Sequence, residues 1–271
     1  MENGFALAEG HRIDQVKLTA STQRLLAEVW RRTIDPARLD ATFPTYLAAA
    51  EQVLGAGRTA SHALARRYYM RVASAAGAEA LAVGLAPLSR EAVATSLHAT
   101  GPALVKSKLA EGATLAAAQE AGLAATVAAG KRIMLDAGRE MLVEASRRDP
   151  NVQGWARVSD GSPCSFCAML VSRGPVYGES TVSFRAHDGC GCGVRLVYRQ
   201  DADNGWSSQA ASLESLWSDY PNPAEFRAAL SLKQGKTQRS YLLGEKDADG
   251  RIIPATAEDL FGASAPLAQA A

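Results

Sequence analysis

Histidine and cysteine are scarce in this chain, four of each in 271 residues, and aromatic residues make up only 6%. So few histidines leave little material for base-assisted nucleophilic catalysis, which needs an imidazole within hydrogen-bond reach of the nucleophile. The four are His11, His62, His98 and His187. Ser61 precedes His62, but neighbours along a helix point apart. No Gly-x-Ser-x-Gly elbow occurs. Long hydrophobic runs are missing too. The alanine-rich stretch 113–130 is interrupted by Gln119, Glu120 and glycines, which makes it too polar for a membrane span. The opening "MENGFALAEGHRIDQ" carries acids and no apolar core segment, so no secretory signal is expected and the reducing cytoplasm is the expected setting. A dominant charge is also absent. The net charge is +1, with 18 Lys+Arg against 15 Asp+Glu up to residue 150 and 11 against 13 after it. A dedicated DNA-binding domain is usually more basic.

What is present is a chain 47% hydrophobic and 21% charged, ordinary for a globular protein. Residues 1–150 read as helical. Ile13, Val16, Leu25, Leu26, Val29 and Trp30 recur at helical intervals over 13–33. Residues 35–40 and Pro44 break that pattern. A second run over 45–84 carries Leu47, Val53, Leu54, Leu64, Tyr68 and Val72, with Gly55 and Gly57 placed to weaken or kink it. Ser89 suits the N-cap of a helix over 90–99, with Glu91 at its positive end. Residues 100–150 read as one or two long helices that stop at Asp149-Pro150. No fixed-period repeat is found, which excludes a solenoid.

The texture changes at residue 151. Alanine thins out, and residues 155–159 and 194–198 alternate as short strands, with Val194, Leu196 and Tyr198 on one face. Residues 207–235 suggest two short helices split by Pro221 and Pro223, and 245–254 a turn with a short strand. The expected fold class is α+β. A long-helix region over 1–150 precedes a small zinc-supported mixed α/β module over 151–200. Short helices complete it over 201–260, and 261–271 form a flexible tail.

All four cysteines lie inside that module. Cys164 and Cys167 stand at C-x-x-C spacing after a turn, a geometry that lets two thiolates bite one tetrahedral ion. His187, Cys190 and Cys192 follow in "HDGCGC" and can close the site from a second loop. The expectation is a structural Zn²⁺ with a Cys₃His set; the spacing is also compatible with Cys₄ and the histidine outside, and it leaves open whether Cys190 or Cys192 is the fourth ligand. Disulfides or free thiols in a small core are the alternatives. A module of some fifty residues has little apolar area of its own, and a closed tetrahedral site adds folding free energy directly.

"WARVSDGSPCSFCAMLVSRGPVY" (155–177) and "FRAHDGCGC" (184–192) resemble the phage Mu F-like (MuF-like) minor head proteins, also called head morphogenesis proteins, in the form found in phages of actinobacteria. The resemblance rests on Trp155, Asp160, Cys164, Cys167, Phe184, His187, Cys190 and Cys192. The neighbours of Cys190 and Cys192 depart from the asparagine or arginine common there, and the ligands are intact. The resemblance implies a non-enzymatic virion protein inside the phage head at the portal vertex, made in the host cytoplasm. It implies a role in head assembly, DNA packaging or ejection. Its partners would be the portal protein, bound by residues 1–150, and the major capsid or scaffold protein or phage DNA, with no membrane. A capsid maturation protease is one alternative. A zinc-containing nucleic-acid-binding protein is another, with Arg157, Arg173, Arg185 and Arg195 on phosphates and Phe166, Tyr177 and Phe184 stacking on bases.

Overall fold

The structure, a computed structural model, describes residues 4–159, 161–178, 183–201 and 203–235, and two short strands at 245–246 and 252–253. It is mostly helical with small antiparallel sheets, an α+β arrangement. Helix α1 (Gly4–Thr33) turns at 34–38 into α2 (Leu39–Ala75). Helix α3 (Arg90–His98) runs through a π-helical turn (Ala99–Ala103) into α4 (Leu104–Ala110), and α5 (Leu115–Arg148) closes the bundle. Strand β1 (Val152–Val158), α6 (Ser165–Ser172) and β2 (Gly193–Tyr198) follow, then α7 (Ser208–Asp219) and α8 (Pro223–Lys233). No described helix is long and apolar enough to cross a membrane.

The bundle forms because α1, α2 and α5 each carry an apolar stripe. Leu26, Trp30, Tyr46, Leu54, Leu97 and Met134 meet in one core. Each such side chain, fully buried, contributes roughly 1.5–3 kcal/mol. Small residues let the axes approach. A Cβ on Gly130 would stand 2.3 Å from Leu26 Cδ1, and one on Gly57 would stand 2.9 Å from Met134 Cγ. Helix α2 runs on through Gly55 and Gly57, where a weakening or kink was expected. Pro44 does not break it either. It lies in the second turn on the exposed side, where its missing amide costs one bond near water, while Phe43 and Tyr46 beside it are buried.

The expected run to residue 84 ends early, at Ala75. Gly77 takes a left-handed φ of 65° and Ala78 N–H returns to the Ala73 carbonyl at 2.8 Å, a helix stop that glycine adopts without strain. Residues 78–89 then run as an irregular strap. Tyr69 Oη accepts from Leu81 N–H at 3.0 Å, Arg148 donates to the Ala82 carbonyl at 3.1 Å and Arg58 to the Ala86 carbonyl at 2.9 Å. Ser89 caps α3 as expected, its hydroxyl accepting from Ala92 N–H at 3.2 Å.

Strands β1 and β2 pair with Trp155 opposite Leu196 and Arg157 opposite Val194. Val152, Trp155, Val194, Leu196 and Tyr198 share a core with Leu7, Tyr68, Tyr69, Val72, Met141 and Leu142, so the apolar interior is continuous across residue 150. The two helices expected within 207–235 are α7 and α8, and Pro223 stands in the first turn of α8, where its missing amide is harmless. Strands β3 (Glu245–Lys246) and β4 (Ile252–Ile253) pair within the segment read as a turn and short strand. Asp160 and the expected tail at 261–271 lie outside the described residues.

Candidate metal centre

Helix α6, which the sequence reading did not mark, sets the first half of the centre. Cys164 is its N-cap: Sγ accepts from Cys167 N–H at 3.4 Å, which puts both sulfurs at the positive end of the helix. Cys164 is exposed and Cys167 buried. The second half is a turn, His187–Cys190, closed by Cys190 N–H to the His187 carbonyl at 3.1 Å, with Gly189 at φ 79°.

The halves meet. Cys164 Sγ lies 2.8 Å from His187 Nε2, and Cys167 Sγ lies 3.4 Å from Cys190 Sγ. The donor atoms of Cys164, Cys167 and His187 all lie within 4.8 Å of one another, as do those of Cys167, Cys190 and Cys192. Cys167 belongs to both groups. None of the four cysteines is in a disulfide, and the 3.4 Å between Cys167 and Cys190 is far longer than an S–S bond of about 2.05 Å.

Crowding splits the thiol acidities. Cys164 is pulled down to about 5, first by the hydrogen bond from the Cys167 thiol, with the Cys167 amide and His187 assisting against burial. Cys190 is held low by its hydrogen-bonding contacts with Cys167 and Cys192, while Cys167, whose single proton lies among the sulfurs of Cys164, Cys190 and Cys192, is pushed up. Burial pulls His187 down, but its bond to Cys164, a backbone hydrogen bond and the charge on Cys164 and Cys190 together outweigh it and the imidazole is raised. So many thiols cannot all ionise side by side in a buried pocket without a cation. Sulfur with one imidazole at these separations suits a thiophilic divalent ion, and the residues fit one.

The supporting shell is aromatic and cationic. Trp155 stacks on Tyr177 with ring centroids 4.3 Å apart and lies 5.7 Å from Phe184. Phe184 packs against Cys167, Cys190 and Cys192. The Arg157 guanidinium lies over the Phe184 ring at 3.7 Å, and that of Arg139 at 4.9 Å.

Two of the four arginines read as phosphate contacts are in the wrong place for it. Arg157 is 3% exposed and donates to the Arg185 carbonyl at 2.6 Å. Arg195 is 1% exposed and pairs with Asp203 at 2.7 Å. Alternation put both on a strand, but each faces the interior, where Arg157 finds one carbonyl and Arg195 the Asp203 carboxylate. Arg173, Arg185 and Phe166 are exposed. The other histidines lie apart from the centre. His62 Nε2 faces the Val83 carbonyl at 3.1 Å, while Ser61 Oγ bonds Gln15 Oε1 at 3.2 Å, so the adjacent pair diverges. His98 faces Asp40 at 3.5 Å, and His11 stacks on Tyr68 at 5.0 Å.

Arg132 and Arg139 were missed. Arg132 donates to Asp188 at 2.6 Å; Arg139, buried on α5, donates to the carbonyls of Cys190 and Cys192, each at 2.7 Å. The available signal, for Arg139, was a group of charged residues (Asp136, Arg139 and Glu140) inside the otherwise apolar stretch 133–143.

The chain matches the family model described as VG15 protein over residues 6–220, a span that holds the whole bundle and both halves of the centre. No curated protein and no solved structure matches it.

Proposed function

The chain belongs to the VG15 protein family, a phage-related family, and from that premise we propose that it is a minor capsid protein of the MuF-like, head-morphogenesis type. It stands inside the phage head at the portal vertex and acts in head assembly and in the packaging or ejection of DNA. Its Cys/His centre holds a structural Zn²⁺. One observation carries this reading most: Trp155, Cys164, Cys167, Phe184, His187, Cys190 and Cys192, scattered over almost forty residues, gather into two aromatic-walled donor groups joined at Cys167. A motif that folds into one physical unit supports a shared ancestry of that unit better than its letters do.

The bundle is the proposed portal-binding part. Its helices share a core with β1 and β2, so a fragment cut at residue 150 would expose Tyr68, Tyr69 and Met141, and the full chain is the form to test. The expected results are co-purification of the cognate portal with the full chain, its detection by mass spectrometry in purified virions, and stoichiometric zinc by elemental analysis. Virions that lack the protein would sink the virion reading. Zinc-free protein purified without chelator would sink the metal reading. Specific cleavage of the cognate major capsid protein, lost on a point substitution at a histidine, would replace both with the protease alternative.

A further inference from the structure

The two halves of the Cys/His centre belong to different parts of the molecule. Cys164 and Cys167 ride on α6, whose Ala168 and Val171 are buried with Leu213 of α7 and Phe226 of α8. That apolar cluster holds no residue of α1–α5. The segment 187–192 is fastened to α5 instead. Gly189 N–H donates to the Ala128 carbonyl at 2.9 Å, Asp188 accepts from Arg132, and both cysteine carbonyls accept from Arg139. Arg139 is itself held by Asp136 at 2.9 Å and is 4% exposed.

We propose that an ion held at this centre is a clasp that fastens the α6–α8 layer to α5, and that Arg139 and Arg132 are positioning residues that set its affinity. The proposal rests on the reading that the centre binds zinc. The guanidinium fork of Arg139 meets two carbonyls of a Cys-Gly-Cys segment that itself lies in no helix or strand, and so fixes the directions of both sulfurs before the ion arrives. Ordering entropy that the ion would otherwise have to overcome is already spent in folding α5. From the other side, the α6 N-terminus fixes Cys164 and Cys167. Without the ion the described links between the halves are thiol hydrogen bonds, which are weak, and the small apolar packing of Cys167 with Cys190, Cys192 and Phe184. The layer then stays tethered by β1 and by Tyr177 Oη, which donates to the Leu170 carbonyl at 2.9 Å, but loses its link to the bundle at this edge.

The experiment compares full-length wild type with Arg139→Lys and Arg132→Ala. Arg139→Lys keeps the buried charge opposite Asp136 and removes the fork; Arg132→Ala touches only the Asp188 side. Zinc affinity is read by competition with a chromophoric chelator, and hydrogen exchange is read with and without zinc. Affinity is expected to fall about 10- to 100-fold in Arg139→Lys, and by less in Arg132→Ala. Zinc removal is expected to speed exchange of amides in α6–α8 while Leu54 and Met134 in the bundle stay protected. If wild type binds zinc and both variants bind it equally well, or if exchange in α6–α8 ignores the ion, the clasp is wrong and the zinc reading stands. A wild type that binds no zinc overturns both.

Discussion

Helices α1–α5 and the irregular segments around them are held by different means. Between the helices the contacts are mainly apolar: Leu26 fills the space left at Gly130, and Trp30 meets Tyr46 edge-on at 5.3 Å. Buried hydroxyls there bond within their own helix or to a neighbouring one, as Thr19 does to the Gln15 carbonyl at 2.7 Å and Ser61 to Gln15 Oε1 at 3.2 Å. The irregular segments are held by buried arginines. Arg58 bonds the Ala86 carbonyl of the strap, Arg139 those of Cys190 and Cys192, and Arg157 that of Arg185. A helix satisfies its own carbonyls; a loop pressed against a core does not, and an unpaired buried carbonyl is costly. A guanidinium is the one side chain with enough donors, rigidly placed, to serve two carbonyls at once. This protein can keep long loops at its centre because arginines from the helices and strands reach into them.

The contrast can be broken most severely at Cys167, the residue common to both donor groups. Cys167→Ser is expected to abolish zinc binding and remove stabilisation on the order of 10 kcal/mol from the metal-dependent region. Thermal melts followed by circular dichroism should then show α6–α8 melting apart from the bundle; a single unsplit transition would mean that the two parts are not held differently. Trp30→Ala strikes the other side. It opens a cavity against Tyr46 and Gly101 and should cost about 3–5 kcal/mol in denaturant titrations, with zinc content unchanged.

Acid should act on the bundle through His11. Burial lowers its pKa from 6.5 to about 4, with Asp14 opposing and Arg67 assisting. The unfolded chain therefore takes up this proton first. Stability is full above pH 6.5 and falls as the pH drops toward 4, by up to roughly 3 kcal/mol. His11→Phe should flatten that part of the pH–stability curve, and an unchanged curve would show that His11 is not buried as described. The smallest effect is expected at Ser89→Ala, which removes the cap of α3 for about 1 kcal/mol and should leave zinc affinity alone.

Legibility followed the range of the interaction. The Ser89 cap, the strands near 155 and 194 and the break between two helices at Pro221 and Pro223 were all readable, because each depends on residues a few positions apart. The end of α2 was misplaced because the apolar period of 45–84 carries past Ala75, while the stop is made by Gly77 and its return bond from Ala78. Helix α6 was hidden behind the C-x-x-C spacing, which reads as a tight turn when taken alone. Arg157 and Arg195 were assigned outward because a strand's alternation does not say that both of its faces are covered.

What the sequence determined by itself was the set of donors and the helical bundle: four cysteines and a histidine in one short window, and apolar stripes at helical period over the first 150 residues. Both follow from local spacing, which the chain carries wherever it goes. Tertiary structure decided how the donors are held. Arg139 reaches the Cys192 carbonyl across 53 positions of sequence, and that contact exists only once α5 has packed beneath the loop. A guanidinium's partner is whatever carbonyl the folded core leaves unsatisfied, and no spacing rule names it in advance.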